Sequence, residues 1–398
     1  FRTFSPVQSM ALTALILPTP IRRRPTLSKR NYDLRDQAIE AHERGEYLQA
    51  VELTLAFLLP EQSSVALHEE ALCLLQGSAR VRIECIGERL RVRALLAELP
   101  AQGRATAGLR YFLGRLSSTG QLFQPRLRGE QIALEFEDDL ALLHPQKLIE
   151  VLQRLPLEAD SHDAWLAEQF QLQMPDRAPL TSLSESEWAR AWEVWTTHWA
   201  AIDELMVESR RRRSLRFLDA LGSLAVNQVR YLLPLHGGLR AELAEHADIY
   251  TDQEEDPNRR DAALARCIKA MRQVEPARLQ TALGHASYAF SPLQEGTVSM
   301  IASMLGPHRL QGTGELRTGG RHLEAALELI ADFVYLLTYQ IWPEPLEQAL
   351  REALDQASGK PWREVADLLW HQAAQINRAH GQADEDERAE ELESLPYE

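Results

Sequence analysis

The chain has 398 residues, too many for one ordinary core, so two or more domains are expected. Its 45% hydrophobic content suits a globular protein, and its net charge of -15 excludes non-specific nucleic-acid binding by the folded body, because acidic surfaces repel phosphates. Three cysteines, Cys73, Cys85 and Cys267, are odd in number and widely spaced; this excludes a complete disulfide framework and a CxxC metal or redox pair, and fits a reducing compartment.

The charge is uneven. Residues 1–30 carry six basic and no acidic residues, and residues 384–398 carry eight acidic and one basic. The first segment reads as a disordered basic leader and the last as a disordered acidic tail that buries too little apolar surface to fold alone. Met10 reads as a plausible start position, which leaves open whether residues 1–9 are native. The apolar run before Pro18 is followed, not preceded, by Arg22-Arg23-Arg24, the wrong order for a secretory signal. The best candidate for a span, Phe333 to Trp342, has ten residues, against roughly 20 for a membrane span.

Residues 33–59 are predicted as two helices around Gly45-Glu46-Tyr47, with Leu34, Ala38 and Ala41 and then Ala50, Leu53 and Phe57 at helical spacing. Gly45, Tyr47, Ala50 and Pro60 make this segment resemble about one tetratricopeptide repeat. Arrays need roughly three, so a lone hairpin is expected over 31–62. Residues 65–76 are predicted helical.

The period then changes to two. Val81, Ile83 and Cys85 alternate with charged residues, as do Leu90, Val92 and Ala94 beyond Gly87-Glu88. A type II′ turn there pairs Cys85 with Leu90, Ile83 with Val92 and Val81 with Ala94, all apolar on one face. Gly129-Glu130 repeats the arrangement, pairing Leu127 with Ile132, Pro125 with Leu134 and Phe123 with Phe136. Pro125, which lacks an N–H, marks an edge strand. Helices are predicted after each hairpin, from Leu109, Phe112, Leu113 and Leu116 and from Leu148, Leu152 and Leu155. The expected fold is an α+β unit, α-ββ-α-ββ-α, with a four-stranded antiparallel sheet over 63–172, then a linker (173–183) and an all-α domain (184–383), the whole being mostly helical.

That element order, closed by Trp165 and Phe170, resembles the fold of type III secretion chaperones and the related YbjN-type proteins over about residues 65–172. The resemblance implies a small domain that binds another protein, often as a dimer.

After the linker, Ser184 and Glu187 form a capping box, with Leu183 and Trp188 as its hydrophobic staple. Trp188, Trp192, Trp195, Trp199, Ile202 and Met206 then follow at helical spacing, placing four of eight tryptophans on one face. The stripe is either a partner-binding groove or a core helix, and a stripe is first a packing signal. Further helices are predicted over 215–233, 238–248, 259–273, 322–341, 344–357 and 361–380, with loops over 252–258 and 311–320.

Other candidates fail on detail. The glycine-rich 312–320 segment lacks the Lys and Ser or Thr of a phosphate loop, although Arg317, Arg321 and His322 remain a candidate anion site at a helix start. Asp252, Glu254 and Asp256 are followed by Pro257 where a calcium loop needs glycine. Successive residues Arg210 to Arg213 point in all directions and read as solvated or self-paired. The histidines do not cluster, and Cys85 reads as a core thiol.

No catalytic residue, cofactor or metal is expected. The leading expectation is a chaperone-like or adaptor protein of the bacterial cytoplasm that binds a protein partner, a second copy of the chain included, through the sheet or the tryptophan helix. The alternatives are an enzyme with an anion or metabolite site near 312–322, and docking to nucleic acid or membrane through the basic leader alone.

Overall fold

The computed structural model describes residues 14–25, 30–60, 71–99, 122–161, 176–251 and 255–381, with residues 67, 106–108, 110, 114, 170 and 172–174 between them. The protein is mostly helical and carries a six-stranded antiparallel sheet.

The helical hairpin comes first: α1 (Tyr32–Glu43) and α2 (Tyr47–Leu58) pack together across Gly45, whose φ of +80° is one that glycine adopts without strain. The sheet follows, built from β1 (Leu72–Gly77), β2 (Ala79–Ile86), β3 (Arg89–Glu98), β4 (Gln124–Arg128) and β5 (Gln131–Asp139). Its inner face lies under α2 and α3 (Pro145–Ser161), which together bury Leu55, Leu148, Leu152 and Leu155 against Ile83, Val92 and Leu134.

Both hairpins pair in the expected register. Cys85 faces Leu90, Ile83 faces Val92 and Val81 faces Ala94; Leu127 faces Ile132 and Pro125 faces Leu134. Gly87 and Gly129 have φ of +62° and +63°. Glu88 and Glu130 are not in the positive-φ region, which selects type II′ over type I′. Phe123 lies just outside β4, and its expected pairing with Phe136 is not made.

Three expectations are corrected. First, the sheet has six strands, in the order β4-β5-β3-β2-β1-β6. Residues 72–76, predicted helical, form β1, because a short leucine run is ambiguous and pairing with β2 decides it; 65, 66 and 68–70 lie outside the described residues. The sixth strand, β6 (Ser287–Tyr288), comes from the helical half of the chain, too short to be seen as a strand. Second, residues 14–25 of the expected disordered leader are packed: Leu15, Leu17 and Ile21 are buried in the helical core, and Ile21 N–H donates to Leu232 O at 2.8 Å. Third, the 311–320 loop is mostly helix. The helix predicted from Leu109 to Leu116, most of Trp165 to Phe170 and the acidic tail lie outside the described residues, apart from scattered positions.

The helical half comprises α4 (Glu185–Arg212), α5 (Leu215–Leu232), α6 (Gly237–Thr251), α7 (Pro257–Arg272), α8 (Pro276–Thr281), α9 (Val298–Leu305), α10 (Pro307–Thr318), α11 (His322–Tyr339), α12 (Glu344–Ala357) and α13 (Trp362–His380). The apolar α11 is its centre, packed on α5, α10 and α13. A two-residue parallel pair, β7 (Gln294–Glu295) with β8 (Gln340–Ile341), ties the loop before α9 to the end of α11. The capping box of α4 forms as read: Ser184 accepts from Glu187 N–H, and Glu187 accepts from Ser184 N–H at 2.9 Å. Among the described residues no helix is long and apolar enough to cross a membrane.

The two halves join through buried polar groups. The Gln76 side chain, fully buried, donates to Phe290 O at 3.0 Å and accepts from Phe290 N–H at 2.9 Å, continuing the β1–β6 ladder. Asp160, also buried, accepts from Ser78 N–H at 2.9 Å and pairs with Arg240 at 3.5 Å.

Candidate interaction surface on the sheet

Strand alternation puts the apolar side chains of β2, β3 and β5 inward and their charged ones outward. The outward face is a lattice of arginines and glutamates. One cross-strand row runs Gln124, Glu135, Arg93, Arg82, Cys73, and the next runs Glu137, Arg91, Glu84. Arg93 and Arg82 stand directly opposite each other, a like-charge contact that costs stability unless carboxylates lie alongside. They do: Arg82 pairs with Glu84 at 2.8 Å and Arg93 with Glu135 at 3.1 Å.

Glu135 anchors the β4 end of the lattice. Its carboxylate is 1% exposed and receives Arg93, Arg128 at 2.9 Å and Arg126 at 3.8 Å. One carboxylate among three guanidinium groups leaves the corner positive. Glu137, despite its partial desolvation, is held below the usual carboxylate range by Arg91 and Arg89. Across the face, Arg80, Arg82, Arg89, Arg91, Arg93, Arg126 and Arg128 meet Glu84, Glu98, Glu135, Glu137, Asp139 and Asp176, so the surplus is small and is concentrated around Glu135. The β4 corner is thus a cationic patch on a protein of net charge -15.

β4 is also a sheet edge; among the described residues no strand pairs with its outer side. Arg126 and Arg128 project from one face of it, and Leu127, 51% exposed, from the other. An open row of backbone N–H and C=O groups is a template for a further strand. At the opposite edge, β6 covers the end of β1.

No family model, curated protein or solved structure matches the chain. The functional reading therefore rests on the residues themselves.

The other expected sites resolve differently. Trp195 and Trp199 are 1% and 0% exposed and stack edge-to-face, 5.7 Å between centroids. Trp195 Nε1 donates to Met271 O at 3.1 Å. These two indoles are core, because α4 is covered along this stretch by α5 and α7, and they are not available to a partner. Trp188 and Trp192 sit half-buried at the N-terminal rim of the same face.

The expected anion site at 312–322 does not assemble. Helix α10 runs through the segment, with Pro307 at its first turn, and its Gly312 and Gly314 lie against Arg216 and Trp370. Arg317 pairs with Asp367 at 3.2 Å and lies over the Trp370 ring at 4.4 Å. Arg321 is bound to Glu324. His322 begins α11, with Nδ1 buried. Both arginines are thus neutralised. So are Arg210, paired with Asp261 at 2.8 Å, and Arg211 and Arg212, paired with Glu208 at 2.7 and 2.6 Å.

A cleft of about 1000 Å³ opens between the sheet and the helical half beside Leu75, Tyr288 and Pro292. Its cations are also paired: Arg30 with Glu295 and Arg154 with Glu150. Among the described residues no three His, Cys, Asp or Glu side chains are placed to hold a metal ion. The thiols are dissimilar: Cys73 is exposed on the lattice face, while burial pushes Cys85 up and Cys267 up to about 12.

Proposed function

We propose that this chain is a non-enzymatic, chaperone-like adaptor that captures an extended acidic segment of a partner protein along strand β4. One observation carries the reading: the β4 edge, which no strand among the described residues pairs with, displays surplus arginines on one face and an exposed apolar residue on the other. An added strand would place alternate side chains against Arg126 and Arg128 and the intervening ones beside Leu127 and Pro125. The fitting occupant alternates acidic and apolar residues. A second copy of the chain fits this edge poorly, since antiparallel pairing of β4 with itself sets arginine against arginine.

The test is titration of the full chain with a labelled peptide of about ten residues alternating Glu and Val, followed by anisotropy. Saturable binding that weakens with salt is expected. The double variant Arg126→Glu, Arg128→Glu should lose at least about tenfold in affinity, two charge-assisted contacts being removed. An alternating Lys and Val peptide should bind the wild type weakly and the double variant better. Equal binding of both peptides to both proteins, or no binding to either, overturns the proposal.

A further inference from the structure

The backbone of β4 fixes more than the side-chain chemistry of what it can take. In an antiparallel pair, alternate residues direct both N–H and C=O at the partner strand, and the residues between turn both groups away. The phase of that alternation is set inside the sheet. Just beyond the two ends of the β3–β5 ladder, Leu140 N–H donates to Glu88 O and Leu99 N–H donates to Glu130 O, both at 2.8 Å. The even-numbered residues of β5 therefore bond to β3: Asp138, Phe136 and Leu134 face Leu90, Val92 and Ala94, and Ile132 faces Ala97. Glu98, opposite Gln131, turns its N–H and C=O the other way, to Gln173 at 2.7 and 3.1 Å. Gln131, Ala133 and Glu135 are left to bond to β4, where they face Arg128, Arg126 and Gln124. The two-residue turn at Gly129-Glu130 demands the same phase, because it closes on a bonded pair of Arg128 with Gln131.

The outer side of β4, with which no described strand pairs, therefore carries the backbone groups of Pro125 and Leu127. Pro125 has a C=O there and no N–H. Within β4, Leu127 alone can exchange both hydrogen bonds with a further strand, and its side chain is 51% exposed. A residue seated opposite Leu127 in an antiparallel strand puts its two neighbours opposite Arg126 and Arg128, about 5 Å away between Cβ atoms. Those arginines share the single carboxylate of Glu135 with Arg93, so charge complementarity calls for a carboxylate in each place. The position opposite Leu127 lies on the other face and calls for an apolar side chain. A parallel strand would move the bonds from that central residue to its two neighbours, and parallel pairing is slightly less stable per residue. Every pairing already present in the sheet is antiparallel.

We propose that β4 reads an acidic–apolar–acidic triplet in one antiparallel register, the apolar residue opposite Leu127 and the acidic ones opposite Arg126 and Arg128, with Pro125 withholding one bond from the partner. This rests on the strand-capture reading and adds to it an orientation, a register and two specificity-determining residues, Leu127 and Pro125.

The experiment is anisotropy titration of the full chain with a labelled peptide, Thr-Thr-Glu-Val-Glu-Thr-Thr, and three analogues, each N-methylated at one residue of the central triplet. In the proposed register the valine N–H donates to Leu127 O, while both glutamate N–H groups point away from β4. Methylating the valine should weaken binding at least about tenfold, since a bond is lost and a methyl group is wedged between the strands. Methylating either glutamate should change it less than about twofold. Pro125→Ala supplies an outward N–H to the threonine that follows the triplet, and should tighten binding by about two- to tenfold. Failure of the parent peptide to bind, or binding unmoved by the double variant Arg126→Glu, Arg128→Glu, overturns the strand-capture reading and the register with it. Binding that the double variant abolishes but that responds equally to all three methylations keeps capture by charge and overturns the register. Loss on methylating the glutamates, with the valine tolerated, identifies a parallel strand and overturns the register as well. Unchanged or weaker binding to Pro125→Ala overturns the part assigned to Pro125.

Discussion

The helical half and the sheet unit handle charge by opposite rules. On α11 three acidic side chains are buried, Glu324, Glu328 and Asp332, and all are paired: Glu324 with Arg321 and Arg212, Glu328 with Arg216 and Arg309, and Asp332 with Arg309. On the sheet, most of the charge lies on one outer face, and at Glu135 arginines exceed their carboxylate partner. The difference teaches that an arginine's role depends on what the fold sets beside it, not on local basicity. Arg210 to Arg212 form the most basic run in the chain and are neutralised, whereas Arg126 and Arg128, two apart on an edge strand, remain in surplus.

The contrast between core and surface is sharpened most by the tryptophan stripe. Trp195→Ala should lose about 4 kcal/mol of unfolding free energy, as for a fully buried aromatic, and Trp188→Ala no more than about 1.5 kcal/mol, measured by denaturant unfolding. Similar losses for both would mean that the stripe is uniformly exposed or uniformly buried.

Charge pairing comes next. Arg216→Ala strands the buried Glu328 with only the more distant Arg309 at 3.8 Å, and should cost about 3 kcal/mol. Arg128→Ala leaves Glu135 with Arg93 and should cost less than about 1 kcal/mol. Equal costs would break the distinction between the two halves.

The smallest effect is one of pH, and it belongs to the helical half alone. Burial lowers His198 to about 4, its Nε2 lying 2.9 Å from Ala225 O, so the unfolded chain takes up a proton first and stability falls as pH drops from about 6.5 towards 4. Burial raises Asp332 to about 6 against the pull of Arg309, so its contribution falls as pH rises through the same interval. The two oppose each other, and the wild type should change by less than about 1 kcal/mol between pH 4 and 6. His198→Gln leaves Asp332 unopposed, so stability should fall by about 2 kcal/mol from pH 4 to 6, followed as Tm against pH. A variant as flat as the wild type would remove His198 from the account.

Much of the fold was legible because it was written in short-range pattern. Period-two alternation around Gly87-Glu88 and Gly129-Glu130 specified two hairpins and their registers, and the Ser184–Glu187 box marked where α4 starts. Amphipathic spacing located α5, α6, α7, α11, α12 and α13 to within a few residues. Leu72 to Gly77 misled because four apolar residues among six satisfy either period, and only a neighbouring strand chooses. Residues 311–320 misled because their glycines signal a loop, while packing against Arg216 and Trp370 favours a helix with no Cβ at those positions.

The sites lay further from sight. By itself the sequence determined which side chains share a strand face or a helix stripe, because those relations span a few residues and follow from backbone geometry. Only the tertiary structure decided which arginines keep a surplus charge. That depends on partners far apart in the chain: Arg93 with Glu135 across the sheet, Arg216 with Glu328 across the helical half. It also decided that β6 joins the sheet and that residues 14–25 pack against α5, since a two-residue strand and an extended segment carry no period of their own to read.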